Sequence, residues 1–232
     1  MSLSPKLEGA SIQEVPGRQL DSSEQWVDKI ELPDDSGGWQ DSIQLSEDVN
    51  PQSTAPVEKQ ERDLSRFEET AQIKQMLVYL NNMPEIKREN WINLSFEERV
   101  KVARKIENQA AKVGCRPALV VEAAPMNRND YGYMNWGAHK IVINESLLRS
   151  NRTEDFQQAL KTLLHESRHA FQYSNIAVER TEPNDEKYQS WALNIATGYC
   201  AAKLFGLKNY YLQPLEVDAR VFAEAIISRI KV

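Results

Sequence analysis

The stretch His165-Glu166-Ser167-Arg168-His169 constrains this chain more than any other. Two histidines four residues apart share a face when the segment is helical, where positions i and i+4 lie a turn apart. Placed so, the two imidazoles can hold one zinc ion, and the glutamate between them can act as a base toward water. The chain contains three histidines, and two of them stand in this motif.

The surrounding pattern agrees with a helix. Thr153 is read as the cap of a long helix carrying Phe156, Leu160, Leu163 and Leu164, then the motif, then Phe171. Upstream, Asp63 is the expected cap of a helix with Leu64, Phe67, Ile73, Met76, Leu77 and Leu80 on its apolar face, ended by Pro84. Ser95 and Glu98 form a capping signature for a second helix, closed by Gly114. Pro117 to Glu122 and Lys140 to Asn144 read as strands, with a polar, aromatic loop from Met126 to Ala138 between them. That loop is expected to form a lid or a cleft wall. The strand Lys140–Asn144 is expected either to pair within a sheet or to hold an extended substrate along its edge. Two more helices follow, one starting near Asp185 and running through Trp191, Leu193, Ile195 and Leu204, the other opened by Pro214 and ending near Ile230. The expected class is α+β: a mainly helical domain with a small β-sheet beside the motif helix.

Composition divides the chain. Residues 1–62 carry 13 acidic and 5 basic side chains, a net charge of -8 against +2 for the rest. They also hold half of the prolines and few aliphatic clusters. Such a segment buries too little apolar surface to offset its ordering entropy, so a disordered acidic leader is expected, followed by one domain over residues 63–232. The leader reads as a solvated tail or as a segment that meets a delivery or regulatory partner. The overall charge of -6 argues against nucleic-acid binding by phosphate neutralisation. No apolar run is long enough to span a membrane, and no secretory signal is visible. Cys115 and Cys200 read as reduced, packed thiols. The expected compartment is the cytoplasm of the producing cell, with export lacking a cleavable signal peptide left open.

A catalytic zinc site takes three protein donors and leaves one position for water. Glu216, on the last expected helix, is the strongest candidate for the third donor. Asp218 and His139 are the alternatives. Asp218 lies about 200° further round the helix from Glu216, so both cannot face one ion. Glu166 is the candidate general base, passing a proton from water to a leaving amine. Tyr133, His139, Tyr188, Tyr210 and Tyr211 are candidate donors to the charge that develops on a carbonyl oxygen.

His165, Glu166 and His169, the preceding Ile141-Val142-Ile143-Asn144, and Glu216-x-Asp218-Ala219-x-x-Phe222-Ala223 resemble the zincin metallopeptidases, and within them the glutamate-ligand branch, the gluzincins. The last stretch is similar to the pattern of the ImmA/IrrE family, and His169-Ala170-Phe171-Gln172 together with Gln213-Pro214-Leu215-Glu216 also resembles uncharacterised bacterial and phage-associated metallopeptidase domains, some of them toxin modules. The resemblance covers about residues 115–232. It implies a zinc cofactor and hydrolysis of a peptide bond in a protein substrate, with an effector or toxin role in view. Two departures stand out: a long insert separates His169 from Glu216, and Arg220 occupies the place where thermolysin-like enzymes carry an aspartate. The alternative from the sequence is a regulatory or interaction protein with a structural or degenerate metal site.

Overall fold

The computed structural model describes residues 68–199 and 206–231. The leader, Asp63, Leu64, Phe67, Cys200 and Leu204 lie outside the described residues. The elements are α1 (Glu69–Asn81), a 3₁₀ turn (Pro84–Ile86), α2 (Arg88–Trp91), α3 (Phe96–Val113), β1 (Val120–Ala124), β2 (Gly132–Asn135), β3 (Lys140–Asn144), α4 (Glu145–Arg149), α5 (Thr153–Ala177), α6 (Asp185–Ala196), α7 (Leu207–Leu212) and α8 (Pro214–Ile227). The fold is α+β, mainly helical, with one small three-stranded sheet beside the motif helix.

Helix α5, with 25 residues, is the central element. From Thr162 to Asn175 every residue is buried. A helix covered all round must meet neighbours on every side, and α5 packs against α3, α4, α6, α8, β2 and β3. Its first residue is Thr153, preceded by Arg152, and no side chain caps it. The expected Thr153 cap is therefore displaced by one position; its hydroxyl instead accepts from Arg88 Nε at 3.1 Å. The capping box of α3 forms as read: Ser95 N–H donates to Glu98 at 2.7 Å, and Glu98 N–H to Ser95 Oγ at 3.3 Å.

Gly114 ends α3, but with φ at -82° it does not make the left-handed turn. Cys115 makes it, at φ 50°, and is exposed rather than packed. Gly114 is needed for space: a Cβ there would lie 2.9 Å from the Phe171 ring of α5. Gly132 serves the sheet in the same way, since a Cβ would meet Thr162 Cγ2 and Val142 O, both at 2.7 Å. Removing these two side chains lets α3 and β2 approach the motif helix closely.

The sheet has the order β1-β3-β2. β1 runs parallel to β3, with Val120 opposite Lys140, and β2 runs antiparallel to it, with Gly132 opposite Ile143. One expectation is corrected here, and of the two readings of Lys140–Asn144 the structure takes sheet pairing. Residues 132–135 of the expected loop form a strand, and Lys140–Asn144 lies in the middle of the sheet. Both hydrogen-bonding edges of β3 are occupied, so it cannot add a substrate strand; β2 forms the sheet edge that packs against α5. β1 starts at Val120 rather than Pro117, and α8 ends at Ile227 rather than Ile230. The short helices α2, α4 and α7 were not expected from periodicity, which four to six residues cannot display.

One buried polar cluster ties α3 to α5. Glu107 accepts from Arg116 Nη1 and Nη2 at 2.6 and 2.9 Å, from Leu119 N–H at 2.9 Å and from Ser167 Oγ at 2.6 Å. Both charged side chains are fully buried. Such a pair adds little against an apolar replacement, but removing one partner strands the other. Glu107→Ala is expected to destabilise the protein by about 3–5 kcal/mol, and Glu107→Leu with Arg116→Met to recover most of that loss. Urea unfolding of the single and double variants measures both.

Candidate metal centre

His165 and His169 project from adjacent turns of α5, with their Nε2 atoms 3.0 Å apart and their rings nearly perpendicular. Glu216 arrives from the first turn of α8, which Pro214 opens at its first position. Its Oε2 lies 3.3 Å from His165 Nε2 and its Oε1 3.2 Å from His169 Nε2. One donor atom from each of the three residues falls within 4.8 Å of the others, and all three residues are buried.

The donor set suits a metal ion. Tetrahedral donors about 2.0–2.1 Å from zinc stand about 3.3 Å apart, close to the 3.0–3.3 Å spacings here. Two imidazoles and one carboxylate are the nitrogen and oxygen donors that zinc accepts. Burial pushes the Glu216 carboxyl up, but the charges and hydrogen bonds of His169 and His165 outweigh it and hold the group well below the usual carboxylate range. Glu166 is completely buried beside the cluster.

The neighbours of the donors fix their orientation. His169 Nδ1 lies 2.7 Å from Gln172 Oε1. The Gln172 amide nitrogen donates to Leu215 O at 3.0 Å and to Asp218 Oδ2 at 2.8 Å. With both amide hydrogens committed, Gln172 can only turn its carbonyl to His169. Nδ1 then carries the proton, and Nε2 is left as the donor. Tyr199 donates its hydroxyl to Glu216 Oε1. Sequence reasoning gave neither Gln172 nor Tyr199 a role at the site. The available signal was a polar stripe: His165, Arg168, His169 and Gln172 stand at i, i+3, i+4 and i+7, where a buried helix ordinarily shows apolar residues.

The other sequence candidates are elsewhere. His139 is exposed at φ 50° in the β2–β3 turn, its ring 5.7 Å from Trp136. Asp218 faces Arg168, whose Nε and Nη2 donate to it at 2.7 and 3.2 Å. Tyr188 packs under Arg180, Tyr211 under Arg220, and Tyr210 edge-on to Tyr199. Tyr133 is on β2.

Gln172→Leu keeps the volume but removes the acceptor at His169 Nδ1. Zinc affinity is expected to fall 10–100-fold, measured by competition with a chromogenic chelator. Burial pushes the Asp218 carboxyl up, but Arg168 and Lys187 more than reverse this and hold it below its usual range. A depressed folded-state pKa stabilises the fold above the unfolded value and loses that contribution as pH falls through the folded one. Metal-free protein is thus expected to lose stability below about pH 4, and Asp218→Asn to flatten that decline. At neutral pH the same variant is expected to be less stable by about 3–5 kcal/mol, because Arg168 loses its main counter-charge. Urea titrations across pH test both statements.

No curated protein and no solved structure matches the chain. A model of the SprT-like family, a zincin-like metallopeptidase-type family, matches residues 100–205, a little under half of the chain. The match takes in His165, Glu166 and His169 and ends before Glu216.

Proposed function

We propose that the chain is a zinc-dependent endopeptidase that hydrolyses a peptide bond in a protein substrate. One observation carries the reading: three buried donors, His165, His169 and Glu216, converge within 4.8 Å, with Glu166 next to the first of them on the same helix. The SprT-like match over the motif supports it. A zinc ion held there would lower the pKa of water toward about 7 and polarise a carbonyl.

The chain's own residues account for the rest. Glu166 takes a proton from the attacking water as its oxygen bonds to the carbonyl carbon, then delivers the proton to the amine as the C–N bond breaks. Gln172 and Asp218 keep His169 in the right tautomer, and Tyr199 steadies Glu216. An extended peptide can lie along β2, the sheet edge beside α5. In this reading residues 63–232 form the peptidase domain. The acidic leader, residues 1–62, would meet a delivery or regulatory partner. An effector or toxin role rests on the leader and the sequence resemblance. Among the described residues no helix is long and apolar enough to cross a membrane.

A second reading, a regulatory protein with a structural metal site, is favoured by the Tyr199 contact: its hydroxyl is close enough to the donors to help close the site. Metal spectroscopy separates the two. An exchangeable water on cobalt-substituted protein supports the enzyme, and four protein donors support the structural role.

The direct test uses a proteome-derived peptide library, with new termini read by mass spectrometry. Wild type is expected to cleave, and Glu166→Gln to bind zinc stoichiometrically while yielding no products above background. Undiminished cleavage by Glu166→Gln overturns the mechanism.

A further inference from the structure

Tyr173 carries a buried hydroxyl with no hydrogen-bond partner. The residue is only 7% exposed. A phenol taken from water without an acceptor weakens the fold, and native interiors rarely keep one without a use. Its place suggests the use. Tyr173 follows His169 by four residues and Glu166 by seven, so it stands one turn beyond the second histidine and on the stripe of the candidate base. Its ring packs 6.1 Å from Trp136, in the turn joining β2 to β3, the side on which an extended peptide would lie.

We propose that Tyr173 is a further catalytic residue: its hydroxyl donates a hydrogen bond to the carbonyl oxygen of the scissile amide as negative charge builds there. The inference rests on the peptidase reading above. The phenol gives up no proton. Water oxygen adds to the carbonyl carbon, the carbonyl electron pair moves to oxygen, and it returns as the C–N bond breaks and the amine leaves with the proton from Glu166. Burial, then the charge of Glu216, pushes the Tyr173 phenol up to about 12. The phenol is a donor at neutral pH. A donor fixed before reaction costs no reorganisation when the charge appears.

Tyr173→Phe keeps the ring against Trp136 and removes only the hydroxyl. On a peptide that wild type cleaves, kcat is expected to fall about 10²–10³-fold with KM little changed. Binding of a phosphinic peptide, whose tetrahedral oxygens mimic the charged state, should weaken by about the factor lost in kcat/KM. Zinc stoichiometry should stay at the wild-type value, and the metal-free variant should melt at or above wild type, since an unpartnered hydroxyl has gone. Wild-type kcat in Tyr173→Phe overturns the Tyr173 role alone. A lower melting temperature with loss of zinc makes the residue structural and also overturns it. Absence of any cleavage by wild type overturns the peptidase reading and this inference together.

Discussion

Arg168 brings a guanidinium into a region with almost no solvent, where it is 1% exposed. Two of its nitrogens donate to Asp218, and Nη1 donates to Gln72 at 3.0 Å. The rings of Phe171, Trp191 and Phe222 surround it at 4.6–5.4 Å. A buried cation without such partners would cost several kcal/mol, so the ion pair permits few alternatives. It holds α8 and α1 to α5 at one rotation and one height. Glu216 is two residues before Asp218, and the contact that seats Asp218 on Arg168 thereby carries Glu216 to the histidines. On the other flank Ser167 is held by Glu107. The two residues between Glu166 and His169 are thus the anchors of the motif helix, each tied to a different neighbour.

This arrangement explains what the sequence displayed and what it concealed. The motif, the α3 capping box and Pro214 at the start of α8 are local features, readable from spacing because backbone geometry alone links their members. β2 was hidden because Gly132-Tyr133-Met134-Asn135 contains a glycine and an asparagine, both poor strand formers. Gly132 is there for the approach of Thr162, a tertiary demand that propensity does not register. The central position of β3 was hidden for the same reason, since an unseen partner strand leaves its neighbour looking like an edge. Asp218 reads in the sequence as an alternative metal donor, and only the packing of α8 on α5 shows that it neutralises Arg168.

The donors form a shell of graded rigidity. His169 is held by an amide whose two hydrogens are already taken, and the carboxylate behind that amide is itself fixed by Arg168 and Lys187. Lys187 also pairs with Glu69 at the start of α1. Orientation at the metal-facing nitrogen is therefore set by four elements, α1, α5, α6 and α8. An amide at Nδ1, rather than a carboxylate, fixes the tautomer without placing a full negative charge on that side of the ring. That leaves the ring a weaker electron donor than one backed directly by a carboxylate.

The extent of the family match bears on what constitutes the working unit. Residues 100–205 include the histidine pair and Arg168 but neither Glu216 nor Asp218. Among the described residues of that span, Arg168 would keep Glu182, 3.8 Å away, and the cluster would keep its two histidines. Two imidazoles fall short of the three protein donors that a catalytic zinc site uses. The missing carboxylates both come from one face-to-face packing of α8 on α5, and Gln72 completes the same network from α1. Charge balance and donor count thus require the same helices. Among the described residues, the interaction that neutralises Arg168 is also the one that brings Glu216 to the histidine pair.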